Sequence, residues 1–468
     1  MRKIIFILTL CITAICNNLF AQGHKIVIQI DGIKDSTILL CYHYGEKKFV
    51  QDTVKMNSEG IAVFQGDSVL KKGIYLVIIP TKTYIEILVG DNQRFEVKTS
   101  IKNLVDKLTF TNSKENSAFA DYQRFLIEQQ RLAKEYQDKF KTVSAKPDSV
   151  KIIQDKVKAL DKKVNEYWDG IIKDYPNTLF SLIAKSMKNV EIPEFKIPAN
   201  TKNVDSLKWV LSYRYNKEHF FDNIPVTDSR LLRTPILETR INTFFDRVLI
   251  PTPDSIIPEA IKLIEASKAN KEVFQYLLPY LVNKFSTSNI MGFDAVFVSL
   301  SEKYYLSGQV WWADKKLIDK IQERVTALKP NLIGSQCPNL SLPDMAGIIR
   351  KISDIKAKIT IVYFWDSSCS HCKKVTPELK RIYDKFKGKG LEVYAVYTQG
   401  NQPEVVEYMT KNQLNWINVW DPAQNSNFRK LFDIYQTPVI YVLDKNKRII
   451  AKRISEESLN QMLELELK

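Results

Sequence analysis

Residues 359–372 read ITIVYFWDSSCSHC, a short unbroken apolar run followed at once by two cysteines with two residues between them. The run 359–365 is too continuous for a half-exposed strand and predicts one buried on both faces. Beyond Cys369 the apolar period turns helical, because Cys372, Val375, Leu379, Ile382 and Phe386 fall three or four residues apart. A buried strand is therefore expected to hand Cys369 to the first turn of a helix. Backbone N–H groups there have no intrahelical acceptor, and the helix dipole favours a thiolate over a thiol. That is the setting of a reactive cysteine, and Cys372, one turn further in, is close enough to form a disulfide with it.

A chain of 468 residues is long for one domain and implies two or three. With 45% hydrophobic and 26% charged residues, it has the composition of folded, soluble protein. The formal charge of +15 comes from lysines scattered through helical stretches such as 151–173 rather than clustered with aromatics. No nucleic-acid motif accompanies the charge, so it reads as a solvated basic face and no nucleic-acid partner is expected.

The first residues bear on the compartment. Arg2 and Lys3 precede an apolar run over 4–16, and a small residue, Ala21, stands before Gln22. This is the pattern of a cleaved secretory signal over 1–21, too short for a comfortable membrane span. Cys16 follows Ile15, where a lipoprotein signal would want a small residue, so a lipid anchor is disfavoured. The expected location is periplasmic. Removing the signal takes two of the six cysteines and leaves Cys41, Cys337, Cys369 and Cys372. Four in so long a chain make no disulfide scaffold, and Cys41 and Cys337 read as buried apolar side chains.

Three regions follow the signal. Over 22–112, strand-like segments near 25–30, 37–42, 61–64, 74–79, 84–89 and 95–97 alternate with turn residues, which predicts a small antiparallel β-sandwich. Over 113–330 the period is helical. Phe119, Tyr122, Leu126, Ala133, Tyr136 and Phe140 form one seam, and Ile153, Val157, Leu160, Val164, Tyr167 and Ile171 a second, antiparallel to the first across a break at 146–148. Further helices are expected near 178–188, 205–221, 235–248, 258–268, 272–284, 293–305 and 315–328, with prolines 193, 198, 225, 251, 253 and 258 between them. This all-α region carries no motif with evident chemistry. Residues 331–468 then read as α/β: a leading hairpin at 337–352, the strand and cysteine helix, and a second buried strand at 391–397 that completes a βαβ unit. Helices near 404–413, 426–435 and 457–467 and strands at 416–420, 439–443 and 448–454 complete it.

A lone CxxC can hold half a zinc site as easily as a disulfide. Zinc needs two further ligands, yet there is no second CxxC and no histidine after His371. No metal is expected.

The sequence FWDSSCSHCKKVTP, with Phe364-Trp365 ahead of Cys369 and Pro377 five after Cys372, resembles thioredoxin-like proteins. Gln436-Thr437-Pro438-Val439 matches their second hallmark, and the lead-in at 337–344 is similar to the exported TlpA/ResA branch. The resemblance covers about 332–468. It implies a cis peptide bond before Pro438, with the backbone of Thr437 presented to an extended substrate. It also implies thiol–disulfide exchange without a cofactor, through a redox-active Cys369–Cys372 disulfide: Cys369 attacks and Cys372 resolves. His371 and Trp365 are the implied tuning residues. Copper delivery of the Sco type is disfavoured by the two-residue spacing, and peroxide reduction by the lack of a proline and threonine ahead of Cys369. Tyr363 stands where thioredoxin has a buried acid, which leaves the proton route of Cys372 open. The upstream regions resemble sandwich and helical domains of Bacteroidetes exported proteins that have no assigned activity.

The expected function is an exported thiol:disulfide oxidoreductase, a reductase or isomerase. Its partners would be exported proteins with thiols or disulfides, and a membrane electron donor is compatible with it. Two alternatives are a binding protein whose residues 24–330 capture a partner, and a dedicated thiol oxidase, which His371 would favour. Asp-Ser/Thr pairs at Ser36, Thr53, Ser68, Ser149, Ser206 and Ser255 resemble an O-glycosylation site of Bacteroidetes exported proteins, although the same pair is common in turns and helix caps.

Overall fold

The computed structural model describes residues 23–143, 147–399 and 402–468. The expected signal at 1–21 lies outside the described residues. The chain divides into two compact units, one running up to Leu249 and including Ala266–Phe274, the other made of Ile250–Glu265 and Gln275–Lys468. The helical stretch expected over 113–330 contributes to both.

The first unit contains two four-stranded sheets. Strands β1 (His24–Asp31), β2 (Thr37–Tyr44), β3 (Lys47–Lys55), β4 (Ile61–Gly66), β5 (Gly73–Ile78), β6 (Tyr84–Val89), β7 (Arg94–Ser100) and β8 (Thr109–Thr111) pair in the orders β4-β1-β7-β8 and β3-β2-β5-β6. Their inner faces share one core, in which Ile26, Ile28, Phe64, Val77, Ile87 and Phe95 are buried. Pairing is antiparallel except between β1 and β7, which run parallel. That pair can be parallel because the chain passes through the other sheet before β7 returns, a crossover that no hairpin could supply. β3 lacks an apolar alternation because it is an edge strand with no buried residue, and its lysines guard that edge. Helices α1 (Lys114–Val143), α2 (Pro147–Asp174), α3 (Leu179–Met187), α4 (Val204–His219) and α5 (Ile236–Thr243) follow. The α1 and α2 seams meet through Phe125 stacked on Tyr167, 4.3 Å between centroids, and through Trp168 Nε1 donating to Tyr122 Oη at 2.9 Å.

The second unit begins with α6 (Pro253–Ser267), α7 (Lys271–Ser286), α8 (Asp294–Leu300) and α9 (Lys315–Leu328). Pro258 lies inside α6 rather than ahead of it. It is the sixth residue of the helix, past the first turn, so its missing N–H removes one i→i−4 bond. The helices expected over 235–248 and 293–305 end in π-helical turns at Phe244–Val248 and Ser301–Tyr305.

After the short hairpin of β9 (Ser341–Pro343) and β10 (Ile349–Lys351) comes the thioredoxin-like domain. It is a five-stranded sheet in the order β13-β12-β11-β14-β15, made of β11 (Ile359–Trp365), β12 (Leu391–Tyr397), β13 (Ile417–Trp420), β14 (Val439–Leu443) and β15 (Ile449–Lys452). β11 is central, parallel to β12 and antiparallel to β14, and all seven of its residues are buried. Ile359, Ile361, Tyr363 and Trp365 face one layer with α10 (Cys372–Phe386) and α13 (Glu456–Glu466). Val362 and Phe364 face the other, where Cys337, Phe428 and Phe432 pack. Each large apolar side chain buried this way contributes roughly 1.5–3 kcal/mol. Helix α11 (Gln402–Lys411) follows β12. The helix expected over 426–435 shrinks to the single turn α12 (Phe428–Leu431), bracketed by left-handed backbone at Asn427 (φ 50°) and Asp433 (φ 56°).

Candidate active site

The site forms where β11 ends. Thr398 donates its backbone N–H (2.9 Å) and its Oγ1 hydroxyl (3.1 Å) to the carbonyl of Trp365, which fixes the strand's last residue. The Asp366 carboxylate then accepts the N–H and the hydroxyl of Ser368, both at 2.8 Å, and folds the following turn. Helix α10 starts at Cys372, so Cys369 precedes it by three residues. Even so, Cys369 behaves as a helix cap. Its carbonyl accepts the N–H of Lys373 at 3.1 Å, and its Sγ accepts the N–H of Cys372 at 3.2 Å, as a serine or aspartate oxygen would at that position.

The two sulfurs have opposite environments. Cys369 is half-buried, whereas Cys372 is 1% exposed among Val375, Leu379 and Tyr363. Partial burial works to raise the Cys369 pKa. The S–H and N–H of Cys372, the Thr437 side chain and the N–H of His371 outweigh that effect, and the thiol ends below its ordinary value. Burial, followed by the hydrogen bond to Cys369, pushes Cys372 up to about 12. One cysteine is thus poised as the thiolate and the other held as the thiol.

Opposite them lies the loop ahead of β14. The Thr437–Pro438 bond is cis, and the S–H of Cys369 donates to the carbonyl of Thr437 at 3.4 Å. His371 is exposed at the start of α10, makes no capping bond, and lines a cleft of about 620 Å3 together with Val375, Thr437 and Pro438. Trp365 takes a different place. It is 1% exposed, boxed by Tyr363, Tyr397 and Tyr408, with its Nε1 unpartnered. It can therefore shape the site through packing but cannot touch a substrate. The structure brings Cys369, Cys372, His371, Thr437 and Pro438 together. The Asp-Ser/Thr pairs other than the one at Ser255 belong to the first unit; Thr53, Ser68 and Ser206 are exposed, and Ser149, Ser206 and Ser255 are each in a first helical turn. Among the described residues no group of three or more His, Cys, Asp or Glu could hold a metal ion.

The hydroxyl of Tyr363, the residue that stands where an acid was expected, pairs with Thr376 Oγ1 at 2.8 Å. Other site residues had no local signal: Tyr397 Oη pairs with Ser367 Oγ at 2.8 Å. Asp433, under the Thr437 loop, is clamped by Arg324 and Arg453. Tyr397, which reads as core, and Arg324, about a hundred residues from Asp433, reveal such contacts only once folded.

A family model described as AhpC/TSA family matches residues 333–452, spanning the β11–α10 turn and the Thr437–Pro438 loop. Residues 333–452 belong to the AhpC/TSA family. Relatives of this AhpC/TSA domain include the thiol-disulfide oxidoreductase ResA of Bacillus cereus, 26% identical over 133 residues, which are 28% of this chain and 74% of that protein. The ResA protein of Bacillus subtilis is 27% identical over 117 residues, 25% of this chain and 64% of that protein. Among solved structures, a domain of a possible thiol-disulfide isomerase from Cytophaga hutchinsonii is 42% identical and covers 29% of this chain and 92% of its own, with a TM-score of 0.28. A thioredoxin-like protein from Bacteroides caccae is 19% identical and covers 60% of this chain and 99% of its own, with a TM-score of 0.48. No helix among the described residues is long and apolar enough to cross a membrane.

Proposed function

We propose that this chain is an exported thiol:disulfide oxidoreductase that reduces or isomerises disulfides of other exported proteins in the periplasm. The observation that carries the reading is the asymmetric pair: Cys369, accessible and lowered in pKa, beside Cys372, buried and raised. The Cys369 thiolate attacks one sulfur of a substrate disulfide, a mixed disulfide forms, and the other substrate sulfur leaves as a thiolate. Cys372 then loses its proton and attacks Cys369. The Cys369–Cys372 bond forms and the second substrate sulfur departs. Two electrons have passed to the substrate, and a dithiol donor must return them before the next cycle. Export rests on the basic and apolar opening of the sequence. The names of the ResA relatives support the chemistry.

Cys372→Ser tests the proposal. Mixed disulfides should accumulate through Cys369 and disappear with dithiothreitol. If none forms with any exported protein or model disulfide, the assignment fails. Equilibration against glutathione fixes the direction of electron flow. A potential near those of known reductants supports reduction, and a strongly oxidising one points instead to a thiol oxidase.

A further inference from the structure

The cleft beside the cysteines is not walled by the thioredoxin-like domain alone. Besides His371, Thr437 and Pro438, it is lined by Asn289, from the stretch between α7 and α8, and by Arg324 of α9. Both lie outside the AhpC/TSA match at residues 333–452. Arg324 is fixed from two sides. Its guanidinium donates to Asp433, whose carboxylate is 1% exposed, and lies over the ring of Tyr435, 5.2 Å from the centroid. Arg453 reaches the other oxygen of Asp433 at 3.2 Å. Two cations thus share one buried carboxylate. Each uses one N–H on it, of the five that a guanidinium carries, and the two side chains stay 30% and 48% exposed along the cleft.

Tyr435 is 76% exposed and stands two residues ahead of Thr437. Two residues of chain span at most about 7 Å. The ring and the guanidinium on it are therefore within two or three residues of the point where Cys369 Sγ meets the Thr437 carbonyl. An exposed tyrosine held against an ordered arginine is the material of protein-binding hot spots. Both groups are already positioned, so little side-chain freedom is lost when a partner arrives. The carboxylate facing them in the cleft is Glu456, half-buried in the first turn of α13, where the helix N-terminus favours its charge.

We propose that Arg324 and Tyr435, with Arg453, form a subsite for an acidic side chain two or three residues from the target cysteine of a substrate protein. The proposal rests on the exchange reaction described above and adds a substrate preference to it. A guanidinium fork matches a carboxylate in plane and in spacing, and the free N–H groups of Arg324 and Arg453 supply it. The Tyr435 ring lies under the aliphatic part of the same side chain. A lysine at that place meets two guanidiniums and is disfavoured. Helix α9, upstream of the AhpC/TSA match, thereby becomes part of the redox site.

The test mixes the reduced full chain with acetylated, amidated heptapeptides whose central cysteine is carried as its 2-pyridyl disulfide. Glu, Gln or Lys occupies the positions two and three residues to either side. The Cys369 thiolate attacks the peptide sulfur, a protein–peptide disulfide forms, and pyridine-2-thione leaves with the electron pair of the old S–S bond. The Glu peptide should release thione about fivefold faster than the Lys peptide, with the Gln peptide between them. Arg324→Gln should bring the Glu-to-Lys ratio to within about twofold, and Tyr435→Ala, which removes the ring beneath the guanidinium, should at least halve it. Each ratio is taken on one protein, so a general loss of reactivity cancels. Lys445→Gln removes the same charge from the turn at the far end of β14 and should keep the wild-type ratio. The subsite is wrong if wild type shows no preference, or if the preference survives in Arg324→Gln. Tyr435→Ala decides in its place should Arg324→Gln not fold. An equal loss in Lys445→Gln also overturns the subsite, because net charge alone would then set the preference. If neither the peptides nor neutral 2,2′-dipyridyl disulfide reacts at Cys369, the exchange reading itself fails, which is a different result from any of these.

Discussion

The backbone N–H of Cys372 points at Sγ of Cys369 from 3.2 Å, so Cys369 caps its own helix. The pairing links sequence to reactivity in one step, because a cysteine three residues ahead of an amide at a helix start meets an unpaired donor. With the Thr437 side chain and the His371 amide it draws the Cys369 thiol below the ordinary thiol value. Alkylation of reduced protein by iodoacetamide, followed across pH, should therefore rise at Cys369 with a midpoint below about 8.5. In Cys372→Ala the backbone donor remains but the S–H donor is gone, so the midpoint should move up part of the way. A midpoint at or above that of a free thiol would contradict the geometry.

Burial divides the four cysteines beyond the expected signal into one half-buried thiol, Cys369, and three buried ones. Cys41, Cys337 and Cys372 are 3%, 6% and 1% exposed, and desolvation raises each, Cys337 to about 12. Native reduced protein given a short alkylation pulse at neutral pH should carry one label, at Cys369, by peptide mass spectrometry. The same pulse in urea should label all four. Native labelling at Cys337 at the rate of Cys369 would mean that its cluster opens readily.

Much of the thioredoxin-like domain is legible in the sequence because its signals are local. β11 announces itself by continuity, α10 by the spacing of Val375, Leu379, Ile382 and Phe386, and the loop opposite the cysteines by Thr437-Pro438. What stays hidden depends on neighbours distant in sequence. β3 has no alternation because it is an edge strand with no buried residue. α12 stops after one turn because the backbone turns left-handed at Asp433, which helical periodicity does not register. At the site, the sequence marks Tyr363 as standing where an acid is expected, but its hydrogen bond to Thr376 emerges only when α10 packs on β11.

The return from α10 to β12 depends on Gly390, with φ at 106°, whose carbonyl accepts the amides of Lys358 and Ile359 at 2.9 and 3.1 Å. An added Cβ would be strained at that φ and would meet Lys358 Cγ at 3.0 Å. Gly390→Ala should cost more than about 1 kcal/mol, whereas Gly388→Ala, with open space around it, should be neutral or gain up to about 1 kcal/mol. Urea midpoints of the two variants should move in different directions from wild type, or at least clearly apart.

Asp433 offers the sharpest test of how the loop that carries Thr437 is held. Its carboxylate is 1% exposed and pairs with Arg324 on α9 and with Arg453 beyond β15. Nearby, Lys452 is buried against Asp294 on α8 and the carbonyl of Asn331. These pairs join helices outside the AhpC/TSA match to the loop ahead of β14 and to the last strand of the sheet. Breaking a buried ion pair from one side leaves an uncompensated charge and costs about 3–5 kcal/mol, whereas an exposed pair contributes about 0–1 kcal/mol. Lys452 is the more completely buried cation, so Asp294→Ala should approach the upper range. Arg453→Ala should stay near the lower one, because that side chain is half exposed and Arg324 remains on Asp433. Urea unfolding followed by tryptophan fluorescence gives the comparison. Equal midpoints for Asp294→Ala and wild type would show that the helices do not hold the sheet through Lys452.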